Sequence, residues 1–220
     1  MKQKILYTIG IFAMAVYFIG LYTESHLLLM ISKPIPILAM MALLKPSTSY
    51  NRYIFTGLAF SLIGDMLLET SSTLFIYGLI AFLITHIIYL TAFFKRNHQK
   101  ALVPLFLLSS YSIVLYWLMF QELNDMAIPV LIYIIAIVLM SWRAIAQRNF
   151  NSYAIFAATG SIFFLISDSL IAINKFYIKI PDTRWLIIVT YWIAQTLIFY
   201  SAYKTDDEQQ TKVSHHIPSN

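Results

Sequence analysis

Two aspartates stand in near-duplicate apolar surroundings along this 220-residue chain. Thr56-Gly57, Phe60, Gly64-Asp65 and Leu67 return in the same order and spacing as Thr159-Gly160, Phe163, Ser167-Asp168 and Leu170. Each acid therefore follows a tiny residue and lies two turns of helix beyond a Thr-Gly pair. A carboxylate at the centre of a membrane helix costs on the order of 2.5–3.5 kcal/mol to insert. Two of them in matched contexts point to a polar site inside a membrane. Close together in low dielectric, they cannot both ionise easily, so one tends to keep its proton while the other stays charged. That division is what general acid–base chemistry uses. The plainer reading is a structural pair, with each aspartate bonded to Lys33, a tyrosine or backbone.

Other polar residues interrupt apolar runs. Lys33 directly precedes Pro34, which removes a backbone donor and kinks a helix, so a pocket is expected there. Lys33 then either pairs with an aspartate or binds an anionic group. Gly57, Ser61 and Asp65 recur every four residues and make one small, polar helical stripe. His86 and Tyr89 share a face at i,i+3, as do Tyr191 and Gln195 at i,i+4. A lone buried histidine is more often a satisfied core residue than a catalyst; the depth of His86 makes proton transfer or orientation of water the sharper reading. Arg143 lies close enough to a span end for snorkelling to explain it. His26, His98, His215 and His216 fall in loops or the tail, so no metal site is expected within the membrane.

These residues need a membrane scaffold to hold them. The chain is 60% hydrophobic and 11% charged, with a mean hydropathy of +0.73. Eight apolar segments, roughly 5–22, 27–44, 53–69, 74–94, 101–120, 126–146, 153–173 and 185–203, are long enough or nearly so to cross a ~30 Å hydrocarbon layer. The fold class expected is all-α: one polytopic domain of eight transmembrane helices over residues 1–203, followed by a polar tail over 204–220. The first segment lacks a small-x-small cleavage site at its exit and reads as a retained helix. No cysteine is present. The basic residues scatter over loops, which is no nucleic-acid signal. No nucleotide-binding loop, Cys/His cluster or nucleophile elbow appears, so no cofactor is expected.

The duplication extends further. Ile35-Pro36 in span 2 is echoed by Ile128-Pro129 in span 6, so spans 2–4 and 6–8 read as parallel repeats with the two aspartates facing each other near a pseudo-twofold axis. A rise of ~1.5 Å per residue puts Asp65 and Asp168 about 18 and 22 Å from the cytoplasmic edge, level with Lys33 and Tyr191. Lys175, Lys179 and Arg184 follow span 7, above Asp168, where they either anchor the interface or receive an anionic headgroup.

Lys33-Pro34-Ile35-Pro36, Gly57 to Asp65, Phe82 to His86 and Tyr89, Trp142-Arg143-Ala144, Gly160 to Asp168 and Tyr191 to Ile198 follow a known pattern in order. The chain resembles the YhhN-like lysoplasmalogenase family of eight-helix membrane proteins; Trp192 departs from it, standing where a second tyrosine is common. The resemblance covers spans 2–8. It implies hydrolysis of the vinyl ether bond of a lysophospholipid substrate in a membrane lipid environment, giving a fatty aldehyde and a glycerophospho-headgroup. A vinyl ether breaks by protonation of its β-carbon and capture of the resulting oxocarbenium ion by water, which suits two carboxylates. Residues and resemblance together single out Asp65, Asp168 and His86 as catalytic, and Lys33, Tyr191, Gln195, Ser61, Tyr89, Arg143 and Lys175 as substrate-binding. A proton-coupled lipid or small-molecule transporter is the rival reading, since parallel repeats and midplane acids serve it too. A purely structural scaffold explains the buried charges least well.

The expected setting is a bacterial inner (cytoplasmic) membrane. The amino terminus, the 2–3, 4–5 and 6–7 loops and the tail carry most of the Lys and Arg residues, whereas the opposite loops carry Lys175, Lys179 and Arg184. The positive-inside rule then makes both termini cytoplasmic. Reporter fusions after Asn97 and after Lys204 should both read cytoplasmic; a periplasmic signal at either position overturns this topology.

Overall fold

A computed structural model describes the backbone of residues 2–215 and the side chains of residues 3–205. The chain forms α1 (Lys2–Tyr22), α2 (His26–Ser32), α3 (Ile35–Leu43), α4 (Ser49–Thr70), α5 (Phe75–Arg96), α6 (Leu102–Leu123), α7 (Ala127–Ala146), α8 (Ala154–Phe176) and α9 (Thr183–His215). Seven stretches are long and apolar enough to cross a membrane. One of these, Leu102–Ala146, holds 45 residues and folds as two helices, α6 and α7, joined by a short 3-10 turn in which Asn124 adopts a positive φ of 45°. The Tyr116 hydroxyl donates to the Ala127 carbonyl (3.1 Å) across this hairpin. Counted with α2 and α3 as one interrupted rod, the described residues supply the eight rods expected.

Two boundaries differ from the expected ones. Span 2 is interrupted at the expected proline: α2 ends at Ser32, α3 starts at Ile35, and Lys33-Pro34 join them with the backbone still in the helical region. Proline has no N–H to continue the ladder, whereas Pro36, in the first turn of α3, removes only a donor that would be unpaired anyway. At the other end, the expected polar tail is helical as far as His215, because α9 continues past its apolar part. Residues 216–220 lie outside the described residues.

Packing follows the duplicated pattern in its main pairs. The most extensive contacts join α4 to α5 and α8 to α9, with α5 also on α7 and α1 laid over α2 and α3. Phe82 of α5, Phe164 of α8 and Tyr191 of α9 form an edge-to-face trio with ring centroids 5.6–6.0 Å apart, which ties the two halves together. The outward faces are apolar: Phe12, Phe106, Trp117 and Ile128 are each about seven-tenths exposed, as helices facing hydrocarbon should be.

Small residues set the closest approaches. A Cβ on Gly160 would lie 2.8 Å from the Ala194 carbonyl oxygen of α9, a backbone atom that cannot rotate away. Gly160→Ala should therefore lower stability by about 1–3 kcal/mol, read as a lower thermal midpoint in detergent. Gly10→Ala, whose Cβ would meet nothing closer than 3.8 Å, should leave the midpoint unchanged or raise it.

Candidate active site

The break at Lys33-Pro34 presents a lysine where an unbroken helix would have packed it against its neighbours. Lys33 Nζ lies 3.5 Å from Asp65 Oδ1 and 3.1 Å from Glu69 Oε2. Glu69 stands one turn beyond Asp65 on α4 and acts as the hub of this end of the bundle. Its Oε1 takes a bond from Arg184 in the first turn of α9, and the Tyr17 hydroxyl of α1 donates to its Oε2 at 3.3 Å. His26 Nε2, at the start of α2, sits 3.2 Å from the Glu69 carbonyl oxygen. The Glu69 side chain is 6% exposed and that of Arg184 56%, so the network runs from a buried lysine out to a solvent-facing guanidinium.

Asp168, on α8, has a different environment. The Tyr133 hydroxyl of α7 donates to its Oδ2 at 2.6 Å. His86 Nε2 lies 3.0 Å from the same oxygen and 2.9 Å from the Tyr133 hydroxyl. Only the Nε2–H form of His86 can donate to the carboxylate. His86 is fully buried and wedged edge-on against Phe164 and Tyr133.

Asp65, Asp168, Lys33, Glu69, Tyr191, Lys175 and Arg184 line one chamber of about 410 Å³. Asp65 Oδ2 and the Tyr191 hydroxyl are buried near each other on the chamber wall. The cations cluster at the exposed end, where Lys175 Nζ also sits 4.8 Å over the Phe75 ring. On its apolar side the chamber meets a slot of about 50 Å³. Leu68, Phe75, Phe82, Asp168 and Ile171 line both spaces. Asp168 therefore marks the border between a polar, cation-rimmed volume and an apolar one.

Several residues read as site members from the sequence stand elsewhere. His86 does not line the chamber; it lies behind Asp168 and touches the site only through that carboxylate. Ser61, Tyr89 and Gln195 form a fully buried layer, with the Tyr89 hydroxyl donating to Gln195 Oε1 and Gln195 Nε2 to Ser61 Oγ, each at 2.8 Å. This layer sits one turn below Asp65 and Tyr191 and closes the chamber from that side. It depends on Gly57, since a Cβ there would come within 2.1 Å of the Tyr89 ring. Arg143 does not line this chamber. It bonds the Gln99 and Asn97 carbonyls at the opposite end and stacks against Phe94 and Trp142, because a cation near a helix end finds its partners in the adjoining loop.

The YhhN family profile matches residues 28–202 of this chain. The chain belongs to the YhhN family. It is similar to lysoplasmalogenase TMEM86A of Homo sapiens, 35% identical over 159 residues that cover 69% of this chain and 65% of that protein. Lysoplasmalogenase TMEM86B of Homo sapiens is 31% identical over 180 residues, covering 79% of this chain and 74% of its own length. A lysoplasmalogenase of Mycobacterium tuberculosis is 30% identical over 150 residues, 64% of this chain and 56% of that protein. The matched region thus spans just under two thirds of the human TMEM86A relative. No solved structure matches the chain.

Glu69 and Tyr133, which bond Lys33 and Asp168, are not among the residues singled out from the sequence. Glu69 was legible: it continues the stripe Gly57, Ser61, Asp65 by one more step of four. Tyr133 had no such signal, being one tyrosine within an apolar helix until the fold sets it beside Asp168. Glu69→Gln should leave Lys33 short of its nearest anion and destabilise the protein by roughly 3 kcal/mol. The check is the thermal midpoint in detergent, with Lys33→Met/Glu69→Gln recovering most of the loss; an unchanged midpoint in the single variant would falsify the hub role of Glu69.

Proposed function

We propose that this chain hydrolyses the vinyl ether bond of lysoplasmalogens, releasing a fatty aldehyde and a glycerophospho-headgroup product, with Asp65 and Asp168 as the acid–base pair. The observation that carries the proposal is the border at Asp168. A lysoplasmalogen is anionic and polar at its headgroup, apolar along its chain, and its vinyl ether lies where the two meet. A cation-rimmed chamber and an apolar slot that share one carboxylate match that order of groups. The names of the similar relatives point to the same substrate class.

The chemistry follows from the two carboxylate environments. Asp65, beside the Lys33 ammonium, is held as the charged member. Asp168, with Oδ2 already engaged by Tyr133 and His86, offers Oδ1 to the ligand and delivers its proton to the β-carbon of the vinyl ether. The same two donors then stabilise the carboxylate left behind, which lowers the cost of giving up the proton. The α-carbon becomes an oxocarbenium ion, stabilised by charged Asp65. Water adds there and loses its proton to a carboxylate, and the hemiacetal collapses to the aldehyde and the glycerol hydroxyl. Lys33, Lys175 and Arg184 hold the phosphate, and His86 acts as a positioning residue for Asp168. Both termini face the cytoplasm of a bacterial inner membrane in this proposal, so the chamber opens outward. The buried Tyr89–Gln195–Ser61 layer stands between the acids and the opposite end of the bundle, which favours a reaction site over a transport path.

Detergent-purified protein should release aldehyde from a lysoplasmalogen without any gradient, whereas a transporter shows flux only in sealed vesicles. In D2O the aldehyde, trapped promptly, should carry one deuterium on the carbon next to the carbonyl. Asp65→Asn and Asp168→Asn should each lose on the order of 10²–10⁴-fold in rate while extracting as folded protein. Near wild-type turnover in both variants removes this mechanism.

A further inference from the structure

The apolar slot continues beyond the site. Ser112 of α6 and Ile134 of α7 line it, and the same two residues line a separate groove of about 290 Å³. That groove lies along the seam between α6 and α7, bounded by Leu105, Ser109 and Tyr116 on one helix and Leu131 and Val138 on the other. Chamber, slot and groove thus form a series: the first two join at Asp168, the last two at Ser112 and Ile134. Polarity falls along it, from charged groups to hydrocarbon.

α6 packs mainly on α7, with a lighter contact to α8. Its other faces are lipid-exposed, with Leu107, Ile113, Val114 and Trp117 all more than half exposed. Ser109 and Ser112 are small residues one turn apart that both line the groove, between the buried Leu108 and Leu115. The slot itself is small beside the chamber and the groove that it joins. A hydrocarbon chain passes along it when α6 moves away from α7, and α6 makes its main helix contacts with α7 and α8 alone.

We propose that the α6–α7 seam is a lateral gate, through which the hydrocarbon chain of a lysophospholipid enters from the bilayer and in which its far end stays while the headgroup occupies the chamber. This rests on the reading of the ligand as a lysophospholipid. It adds a route and a tail site that the acid–base pair does not require. Ser112 and Ile134 form the neck of the gate, so they decide how long a chain can extend past Asp168.

The chain has no cysteine, so Ser112→Cys carries a unique thiol that benzyl methanethiosulfonate can enlarge and dithiothreitol can restore in the same folded molecule. The probe is an alkyl-ether lysophosphatidylcholine, which cannot be cleaved at a vinyl ether, with a diazirine near the chain end, added to protein in nanodiscs. Photolysis should place adducts on residues 105–116 and 131–139. Thiol modification should cut them roughly tenfold, and reduction should bring them back. Adducts that avoid both segments, a complete lack of adducts, or adducts unaffected by modification overturn the gate. Seam adducts without aldehyde release from a lysoplasmalogen leave the tail site standing and remove the hydrolase reading; aldehyde release with adducts elsewhere does the reverse.

Discussion

Charges that sit in hydrocarbon must find each other, and that requirement organises one end of this molecule. Lys33, Asp65, Glu69 and Arg184 alternate in sign and come from three separate rods. Lys33, Asp65 or Glu69 alone would carry a large desolvation cost, whereas together each has an opposite charge within reach. The break between α2 and α3, the end of α4 and the first turn of α9 must therefore converge. Tyr17 and His26 complete the convergence by bonding the same glutamate. The chamber is the space those groups enclose, so its position follows from electrostatics as much as from helix packing.

The second carboxylate is satisfied in a different way. Asp168 takes hydrogen bonds from a tyrosine and a histidine on one oxygen, with no lysine or arginine bonded to it among the described residues. Two acids from near-identical sequence contexts are thus given unlike surroundings, which is the usual means of assigning unlike roles to a carboxylate pair. The Phe82–Phe164–Tyr191 trio stands among the α5, α8 and α9 faces that carry these groups. Its rigidity holds the two environments apart while leaving both acids on the chamber wall.

Rigidity is distributed unevenly. The α4–α5 and α8–α9 pairs are closed tightly by small residues and by the buried Tyr89–Gln195–Ser61 layer, and they carry the acids. α6 has few partners and carries none of them. A site that must hold two carboxylates steady yet admit a long apolar chain needs both kinds of packing, and here they fall on different helices.

Much was legible in the residues alone. Apolar length describes the rods, because hydrocarbon thickness and the cost of exposed backbone leave a helix no alternative. The two aspartates, Lys33 and Tyr191 stood out because polar groups in apolar runs demand partners, and all four meet at the chamber. Helical periodicity could also have carried the stripe on α4 as far as Glu69. What the sequence did not hold was which polar groups pair across helices. His86 lies at the right depth yet faces the back of Asp168; Ser61, Tyr89 and Gln195 close a layer beneath the acids; Arg143 bonds a loop at the far end. Depth is set by position along one helix, but facing is set by the rotation of each helix against its neighbours. That rotation is fixed by contacts such as Gly57 on Tyr89 and Gly160 on Ala194, which exist only once the helices have packed.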